Sequence, residues 1–137
     1  MKQLILLTAI LLTSIMALAD DGTTTETCAN GAGRVITGAV SGHKYCKSNQ
    51  VMNWWNAHAW CDALGRRVFD RSNCSCGDIT ADCAGNKCPD LKGVRDSEYI
   101  WTATPRDSSH VYVVYLSSGL VYNDYRINYT HYSALCY

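Results

Sequence analysis

The chain lacks an excess of charge of either sign. Its 137 residues include 12 Lys and Arg against 12 Asp and Glu, and these charges form no long run of one sign. A nucleic-acid partner normally requires a basic stripe or patch, so we expect no nucleic-acid partner. Strong electrostatic attachment to an anionic membrane is disfavoured for the same reason.

The sequence also lacks an apolar run long enough for a comfortable membrane span. Its most apolar segment, from Leu4 to Leu12, is much shorter than the roughly 20 residues that a spanning helix needs. Lys2 precedes this segment and Ala17-Leu18-Ala19 follows it, which is typical of a secretory signal with a small-residue cleavage site. We expect cleavage after Ala19, no membrane span thereafter, and a location that is secreted or at the cell surface. The alternative is an uncleaved N-terminal anchor.

Motifs that specify catalytic geometry are missing as well. The sequence has no Gly-x-Ser-x-Gly elbow, no His-Glu-x-x-His metal motif and no phosphate-binding loop. No motif places any of the four histidines beside a nucleophile or an orienting carboxylate. We therefore expect a protein that is not an enzyme and that carries no cofactor.

Cysteine, by contrast, is abundant. All eight cysteines lie beyond the predicted cleavage point, and an even number in a short exported chain predicts a disulfide framework. The four between residues 74 and 88 have a donor set that also suits zinc. Because oxidation competes with metal capture outside the cell, we expect disulfides there and no bound metal. The predicted disulfide residues are Cys28, Cys46, Cys61, Cys74, Cys76, Cys83, Cys88 and Cys136.

The chain divides into a signal peptide at residues 1–19, a flexible polar lead at 20–27 and a single domain at 28–137. In the first part of the domain, the turn-forming pair Ser41-Gly42 lies between two strand-like stretches, residues 34–37 and 44–46, which predicts a hairpin. A local bond between Cys28 and Cys46 would join its two strands. Spacing alone does not determine that pairing.

A helix between Asn53 and Gly65 is the clearest regular element. Asn53 is a suitable N-cap, and Gly65 is suitable just beyond the C-terminus. Trp55 falls opposite the core face, and we expect a loop to cover it; the alternative is an exposed binding residue. At helical spacing the core face comprises Trp54, Ala57, Cys61 and Leu64.

Most of the remaining chain is predicted to be a loop followed by strands. Residues 71–96 contain four cysteines and almost no apolar periodicity, which indicates a long loop restrained by internal cross-links. The later apolar stretches predict a fold of the α+β class, with one main helix packed on a mostly antiparallel sheet and stabilised by disulfides. The predicted strands are residues 99–104, 110–116, 120–122 and 133–136.

The motif Trp54-x-x-Ala57-x-x-x-Cys61-x-x-x-Gly65-x-x-Val68 resembles the first helix of the C-type lectin-like fold and its entry into the next strand. Residues 101–104, 112–119 and 132–136 are similar to short secreted bacterial domains of the Fibrobacter major-paralogue type, whose architecture resembles that of C-type lectins. The resemblance covers roughly residues 44–137 and implies a small C-type lectin-like fold. In that family the helix cysteine pairs with one on the final strand, which implies a bond between Cys61 and Cys136.

The chain departs from the family at its calcium motifs. Calcium-dependent, sugar-binding members carry a Glu-Pro-Asn or Gln-Pro-Asp loop and a Trp-Asn-Asp strand. Neither loop triplet occurs here, and only Tyr122-Asn123-Asp124 is similar to the strand motif. Because calcium requires about six to eight converging oxygens, one Asn-Asp pair does not predict a calcium site. The family's usual second helix is replaced here by the cysteine-rich loop.

Candidate binding residues are concentrated near the C-terminus. Six of the nine tyrosines lie between Tyr112 and Tyr132, among Asn, Asp, Arg and His. Tyrosine provides rigid contact area and the polar residues provide directional hydrogen bonds, as in a paratope or a sugar-binding surface. Packing on the inner face of the strands is the alternative for Tyr112, Tyr115 and Tyr122. The predicted ligand-binding residues are Tyr122, Asn123, Asp124, Tyr125, Arg126, Asn128, Tyr129, His131 and Tyr132.

These features predict a secreted or cell-surface, non-enzymatic binding module that recognises a glycan or protein ligand through its C-terminal Tyr- and Asn-rich surface. One alternative is a structural subunit of a cell-surface assembly, in which the same aromatic residues form a subunit interface. Another is a diversified ligand-binding protein of a diversity-generating retroelement, since such proteins use a similar fold and residues 122–133 have a compatible composition. A small enzyme is the remaining alternative.

Replacing Cys61 by Ser is expected to damage the protein far more than replacing Cys76 by Ser. A Cys61–Cys136 bond closes about 75 residues and, in the chain-entropy model, favours folding by roughly 4–5 kcal/mol. That contribution is comparable with the whole net stability of a small domain. The measurement is the yield of folded, secreted protein for each variant. Equal losses from Cys61→Ser and Cys76→Ser would contradict the pairing.

Overall fold

The computed structural model describes residues 26–76, 86–94, 97–126 and 131–137. Within these ranges one α-helix, α1 (Trp54–Ala63), packs on a single seven-stranded sheet. The strands are β1 (Thr27–Cys28), β2 (Gly33–Thr37), β3 (Lys44–Met52), β4 (Tyr99–Pro105), β5 (His110–Tyr115), β6 (Leu120–Tyr125) and β7 (Tyr132–Cys136). Short 3₁₀ helices cover Ala29–Gly31, Arg71–Cys74 and Pro89–Leu91. The predicted α+β class and mostly antiparallel sheet are confirmed.

The last strand lies at the centre of the sheet. The strand order is β1-β2-β3-β7-β4-β5-β6. Strand β7 pairs antiparallel with β3 and parallel with β4, where Ile100 lies opposite Ser133. The other neighbouring strands pair antiparallel. The early hairpin and the later three-stranded meander are therefore joined through β7.

The first strand begins inside the segment that was predicted to be a flexible lead. Thr27 pairs with Arg34 across β1 and β2. The Glu26 carboxylate forms an ion pair with the Lys44 ammonium, with 2.8 Å between Oε2 and Nζ. The ordered domain thus starts slightly before the predicted boundary at Cys28. The predicted signal peptide and residues 20–25 of the lead lie outside the described residues.

The second half of strand β3 was not predicted, because its sequence breaks the alternation of apolar and polar residues. The hairpin pattern suggested a strand ending near Cys46, but β3 continues to Met52. Lys47 and Ser48 are only 2% and 1% exposed, so two consecutive polar residues are buried where alternation predicts at most one. The Lys47 ammonium is paired with the Glu98 carboxylate, which offsets the cost of burying a charge.

The helix has the predicted caps. The Asn53 side chain accepts a hydrogen bond from the backbone N–H of Asn56 at 2.8 Å. At the other end, Gly65 adopts a φ of +67°, a left-handed conformation that glycine adopts at low cost. Ala57 and Cys61 are fully buried on the face that was predicted to contact the core.

The sheet buries apolar side chains on both faces. Neighbouring residues of β7 alternate between two cores, with Leu135 on one side and Ala134 and Cys136 on the other, as strand geometry requires. The helix-side core comprises Cys46, Ala57, Cys61, Val68, Trp101, Val111, Val113, Ala134 and Cys136. The opposite core comprises Ile36, Tyr45, Phe69, Cys74, Cys88, Leu91, Ile100, Val114, Leu116, Val121 and Leu135. The described part of the cysteine-rich segment, which contributes Cys74, Cys88 and Leu91 to the opposite core, therefore packs on the sheet face that α1 leaves open.

The disulfides cross-link the helix to the sheet, the first strand to β3, and the cysteine-rich segment to itself. The Cys61–Cys136 bond joins α1 to β7, and the Cys28–Cys46 bond joins the start of the domain to β3. Both predicted pairings are confirmed. Sequence spacing does not determine how the four later cysteines pair; the structure bonds Cys74 to Cys88, and Cys76 is also disulfide-bonded. Cys83 lies outside the described residues.

A buried carboxylate attaches the cysteine-rich segment to the first hairpin. Asp90 follows Pro89 in a 3₁₀ helix and is 0% exposed. Its oxygens accept hydrogen bonds from the backbone N–H groups of Val40 and Ser41 at 2.9 and 2.7 Å and from the Tyr45 hydroxyl. Burial alone would raise the pKa of Asp90, but the bonds from Ser41, Tyr45 and Val40 outweigh it and hold the pKa below its usual range. The described parts of residues 71–96, predicted as a loop, thus include two 3₁₀ helices, Arg71–Cys74 and Pro89–Leu91.

Replacing Asp90 by Asn is expected to lower the free energy of unfolding at neutral pH by about 1–3 kcal/mol, because an amide presents N–H groups to donors that need an acceptor. The pKa of Asp90 is lower when folded than when unfolded. Its contribution is therefore complete above the unfolded pKa of about 3.9 and disappears as pH falls through the folded pKa. Urea unfolding between pH 7 and pH 2 should show the difference between wild type and Asp90→Asn shrinking in acid.

The matched control is Asp62→Asn, the same chemical change at an exposed position on α1. We expect it to leave the unfolding free energy nearly unchanged at neutral pH. A gap between wild type and Asp90→Asn that stays constant down to pH 2 would show that ionisation of Asp90 does not stabilise the fold.

Candidate functional site

Strand β6 divides the predicted binding surface between the two faces of the sheet. Tyr122 pairs directly opposite Val113, which is buried in the helix-side core. Because side chains alternate along a strand, Tyr122 and Asp124 project on the helix side, whereas Asn123 and Tyr125 project on the other side. Strand β6 extends through Tyr125, beyond the predicted strand at residues 120–122.

A row of aromatic rings crosses the helix side of the sheet. The Tyr99 ring lies 5.3 Å from the Tyr132 ring and 5.8 Å from the Tyr122 ring, measured between centroids. Tyr132 also packs edge-on against the buried Trp101 at 4.9 Å. Tyr122, at the outer end of the row, is 45% exposed. The inner rings rest on the core and support an outer ring that is accessible from solvent.

A hydrogen bond connects this row to the edge strand. The Tyr132 hydroxyl donates to Asp124 Oδ2 at 2.6 Å. Burial raises the pKa of Tyr132, and the adjacent Asp124 carboxylate raises it further. The hydroxyl therefore remains protonated and able to donate at physiological pH. This bond holds the first residue of β7 against β6, across the strands that separate them.

The structure corrects the prediction for Trp55, which was expected to lie under a loop and is instead 54% exposed. Its neighbour Trp54 takes the inner position because its indole N–H donates to the Thr102 carbonyl at 3.0 Å. The two indoles contact each other edge-on, 4.7 Å apart. The Arg126 guanidinium lies 5.6 Å from the Trp54 ring and 6.0 Å from the Trp55 ring, within the range of cation–π attraction.

These contacts define one surface, the helix-side platform, on the part of the sheet beside the N-terminus of α1. The Arg126 side chain, just after β6, also donates to the Ser108 carbonyl. This hydrogen bond and the two indole rings together restrain the guanidinium. The platform combines two exposed aromatic rings with one carboxylate and one guanidinium. Its residues are Trp54, Trp55, Tyr99, Tyr122, Asp124, Arg126 and Tyr132.

On the other face, Tyr125 belongs to a separate cluster. Its ring lies 4.1 Å from the ring of His110, the residue directly opposite on β5. His110 Nδ1 lies 2.8 Å from Asp107 Oδ1 and 3.0 Å from Ser109 Oγ. The hydrogen bond from the Ser109 backbone N–H, with that from the His110 side chain, lowers the pKa of Asp107. Asn123 lies on the same face and accepts from the Arg106 guanidinium at 3.0 Å.

Sequence reasoning missed this histidine–carboxylate pair, although a signal was present. Asp107 begins a polar turn and accepts from the backbone N–H groups two and three residues later, a common Asp turn. The serine and the carboxylate both approach the same nitrogen of His110. In a nucleophile–base–carboxylate triad the nucleophile and the carboxylate contact different nitrogens of the histidine ring. This cluster therefore does not have triad geometry.

The remaining predicted site residues are only partly described. His131 is exposed, while Asn128 and Tyr129 lie outside the described residues. Asn123 and Asp124 project from opposite faces of β6, so their side chains do not converge on one ion. Across the ranges that the structure describes, no group of three or more His, Cys, Asp or Glu residues is placed to hold a metal.

A cleft of about 350 Å³ lies between β3 and α1. Its lining residues are Gly31, Ala32, Ser48, Asn49, Gln50 and Met52, together with Trp60 of α1. Among the described residues that line it, none has an ionisable side chain. The sequence did not reveal this cleft, because it depends on the unpredicted second half of β3 facing the outer edge of the helix.

Comparison with known proteins assigns no family to the chain. No protein-family model matches it, and no curated protein sequence is significantly similar to it. In the part of the chain that the structure describes, no helix is both long and apolar enough to cross a membrane. The side chains of the platform and the cleft are therefore the features that bear on function.

Replacing Tyr132 by Phe is expected to lower the free energy of unfolding by roughly 1 kcal/mol. The change removes the Tyr132 hydroxyl and with it the hydrogen bond from β7 to Asp124. The matched control is Tyr122→Phe, in which an exposed ring loses the same hydroxyl. We expect that change to stay within about 0.5 kcal/mol of wild type. Chemical denaturation at pH 7 measures both, and equal losses would show that the Tyr132–Asp124 bond has no special role.

Proposed function

We propose that this chain is a non-enzymatic binding module, secreted or displayed at the cell surface, that recognises a protein or glycan ligand through the helix-side platform. One observation carries the proposal: Trp55 and Tyr122, at 54% and 45% exposure, lie on the same side of the sheet as Arg126 and Asp124. Exposed large aromatic residues grouped on one surface mark a candidate interaction site. Trp, Tyr and Arg are also the residues that dominate binding energy at protein interfaces.

The platform is held in place before any ligand binds. Trp54 is anchored by its bond to Thr102, and Arg126 by its bond to the Ser108 carbonyl. Tyr132 is held by Asp124. Less side-chain freedom is lost on binding when the contact groups are already ordered, so more of the interaction energy appears as affinity.

The shape of the platform favours a protein ligand over a glycan. Its aromatic rings lie across the sheet surface, and the described cleft is bordered by other residues, on β3 and on the outer edge of α1. A broad surface with exposed aromatic and charged groups suits the surface of another macromolecule. A glycan chain laid along the rings is the second ligand class compatible with this composition.

We further propose that the scaffold is a C-type lectin-like fold. Three features support it: the helix motif around Cys61, the bond from Cys61 to the last strand, and the central position of β7 in the sheet. The binding surface proposed above uses neither calcium nor the calcium motifs of that family. Binding is accordingly expected to persist in the presence of a chelator.

Replacing Trp55 or Tyr122 by Ala is expected to weaken ligand binding by about tenfold or more each, since both remove exposed aromatic area from the platform. The test is a screen of the exported chain against immobilised extracellular proteins and glycans with chelator present, followed by affinity measurement for each hit. Tyr125→Ala is the matched control, because it removes a similarly exposed ring from the opposite face.

Binding that is unchanged in both Trp55→Ala and Tyr122→Ala, or that is lost in Tyr125→Ala alone, would remove the platform as the site. Sedimentation across a range of concentrations should accompany the screen. Stable self-association that disappears in Trp55→Ala would instead identify the platform as a subunit interface of an assembly.

A further inference from the structure

The cleft between β3 and α1 is separate from the platform and has its own chemistry. Its volume of about 350 Å³ is at the lower end of the roughly 300–1,000 Å³ typical of small-molecule sites. Two of its lining residues, Met52 and Trp60, have apolar side chains, and three others, Ser48, Asn49 and Gln50, have neutral polar ones. A site of this size and composition accepts a small ligand that has both an apolar face and several hydrogen-bonding groups.

The absence of charge in the cleft lining selects against an ionic ligand. The nearest charged residue along β3, Lys47, projects to the opposite side of the sheet, where its ammonium pairs with Glu98. A charged ligand in the cleft would lose hydration without gaining an opposite charge, which is costly. A neutral ligand incurs no such penalty.

The amide groups match hydroxyl-rich ligands. A side-chain amide both donates and accepts hydrogen bonds, as sugar hydroxyls do. Asn49 is already oriented, because its amide Nδ2 donates to the Gly31 carbonyl at 2.9 Å and its backbone N–H donates to the Ala32 carbonyl at 3.0 Å. The Gln50 side chain is exposed at the rim of the cleft, where it is accessible to an incoming ligand.

Both walls of the cleft are braced by disulfides. Trp60 immediately precedes Cys61, which is bonded to Cys136. On the other side, residues 31–32 and β3 are joined through Cys28–Cys46. Cys46 and Cys136 are direct partners across β3 and β7, so the two bonds meet in the sheet beneath the cleft. A cavity with such restrained walls is a pre-organised site rather than a transient gap.

From this geometry we infer that the cleft binds an uncharged saccharide, either a single pyranose ring or the end of a longer glycan. One face of the sugar ring, which carries C–H groups, packs on the Trp60 indole, and the ring hydroxyls bond to the amides of Asn49 and Gln50. This site is independent of the platform and of the ligand proposed for it.

The test is a titration of the ¹⁵N-labelled exported chain, with chelator present, against methyl glycosides of neutral hexoses and of N-acetylhexosamines. Glucuronic acid and adenosine serve as a charged and an aromatic comparator. We expect at least one neutral glycoside to shift the indole N–H signal of Trp60 and the side-chain amide signals of Asn49 and Gln50, with saturation. The indole signal is assigned with Trp60→Phe.

Two substitutions at the cleft should weaken that binding by about tenfold or more: Trp60→Ala, which removes the packing surface, and Gln50→Glu, which keeps the size but adds a charge and removes donors. Because Gln50 is exposed, Gln50→Glu remains informative even if Trp60→Ala fails to fold. Trp55→Ala should bind the glycoside as wild type does, which separates this site from the platform.

Three results would overturn the inference. The first is that no neutral glycoside shifts the Trp60 signal. The second is that glucuronic acid or adenosine binds as well as the best neutral glycoside. The third is that Gln50→Glu and Trp60→Ala both bind like wild type.

Discussion

The bond between Cys61 and Cys136 is the constraint on which the rest of the structure depends. It fixes the only α-helix of the described chain to β7, and β7 is the strand that joins the early hairpin to the later meander. Because the two cysteines are 75 positions apart in the sequence, the bond removes much of the conformational freedom of the unfolded chain. The cleft lies on one flank of this fixed helix, and the platform lies at its N-terminus. The same cross-link therefore restrains the helix that borders both surfaces.

Buried polar groups, like the disulfides, hold separate segments of the chain together. Asp90 holds the cysteine-rich segment against the first hairpin, and the Lys47–Glu98 pair holds β3 where its apolar pattern fails. Each buried charge is matched by donors or by an opposite charge, as burial requires. These interactions are specific in direction, whereas apolar burial is not. They explain how a small domain with short regular elements keeps loops and strand ends in one arrangement.

Local signals predicted those parts of the fold that depend on nearby residues. The helix limits followed from Asn53 and Gly65, because capping is determined within one helical turn. The second half of β3 was missed, because the burial of Lys47 depends on Glu98, a residue far away in the sequence. The binding surface shows the same division. The tyrosines in the sequence indicated the composition of the binding surface. The exposure of Trp55 could not be predicted, because it depends on Trp54, and not Trp55, bonding to Thr102.

The sequence by itself determined the α+β class, the helix, the hairpin and the disulfide-rich character of the chain, since periodicity, capping residues and cysteine content act locally or through composition. Only the tertiary structure decided that β7 lies at the centre of the sheet and that alternation in β6 sends Asp124 and Tyr125 to opposite faces. It also decided that Trp60 and β3 enclose a cleft without charge. The physical reason is that strand pairing and the enclosure of a cavity join residues distant in sequence, and no local pattern encodes which of them will meet.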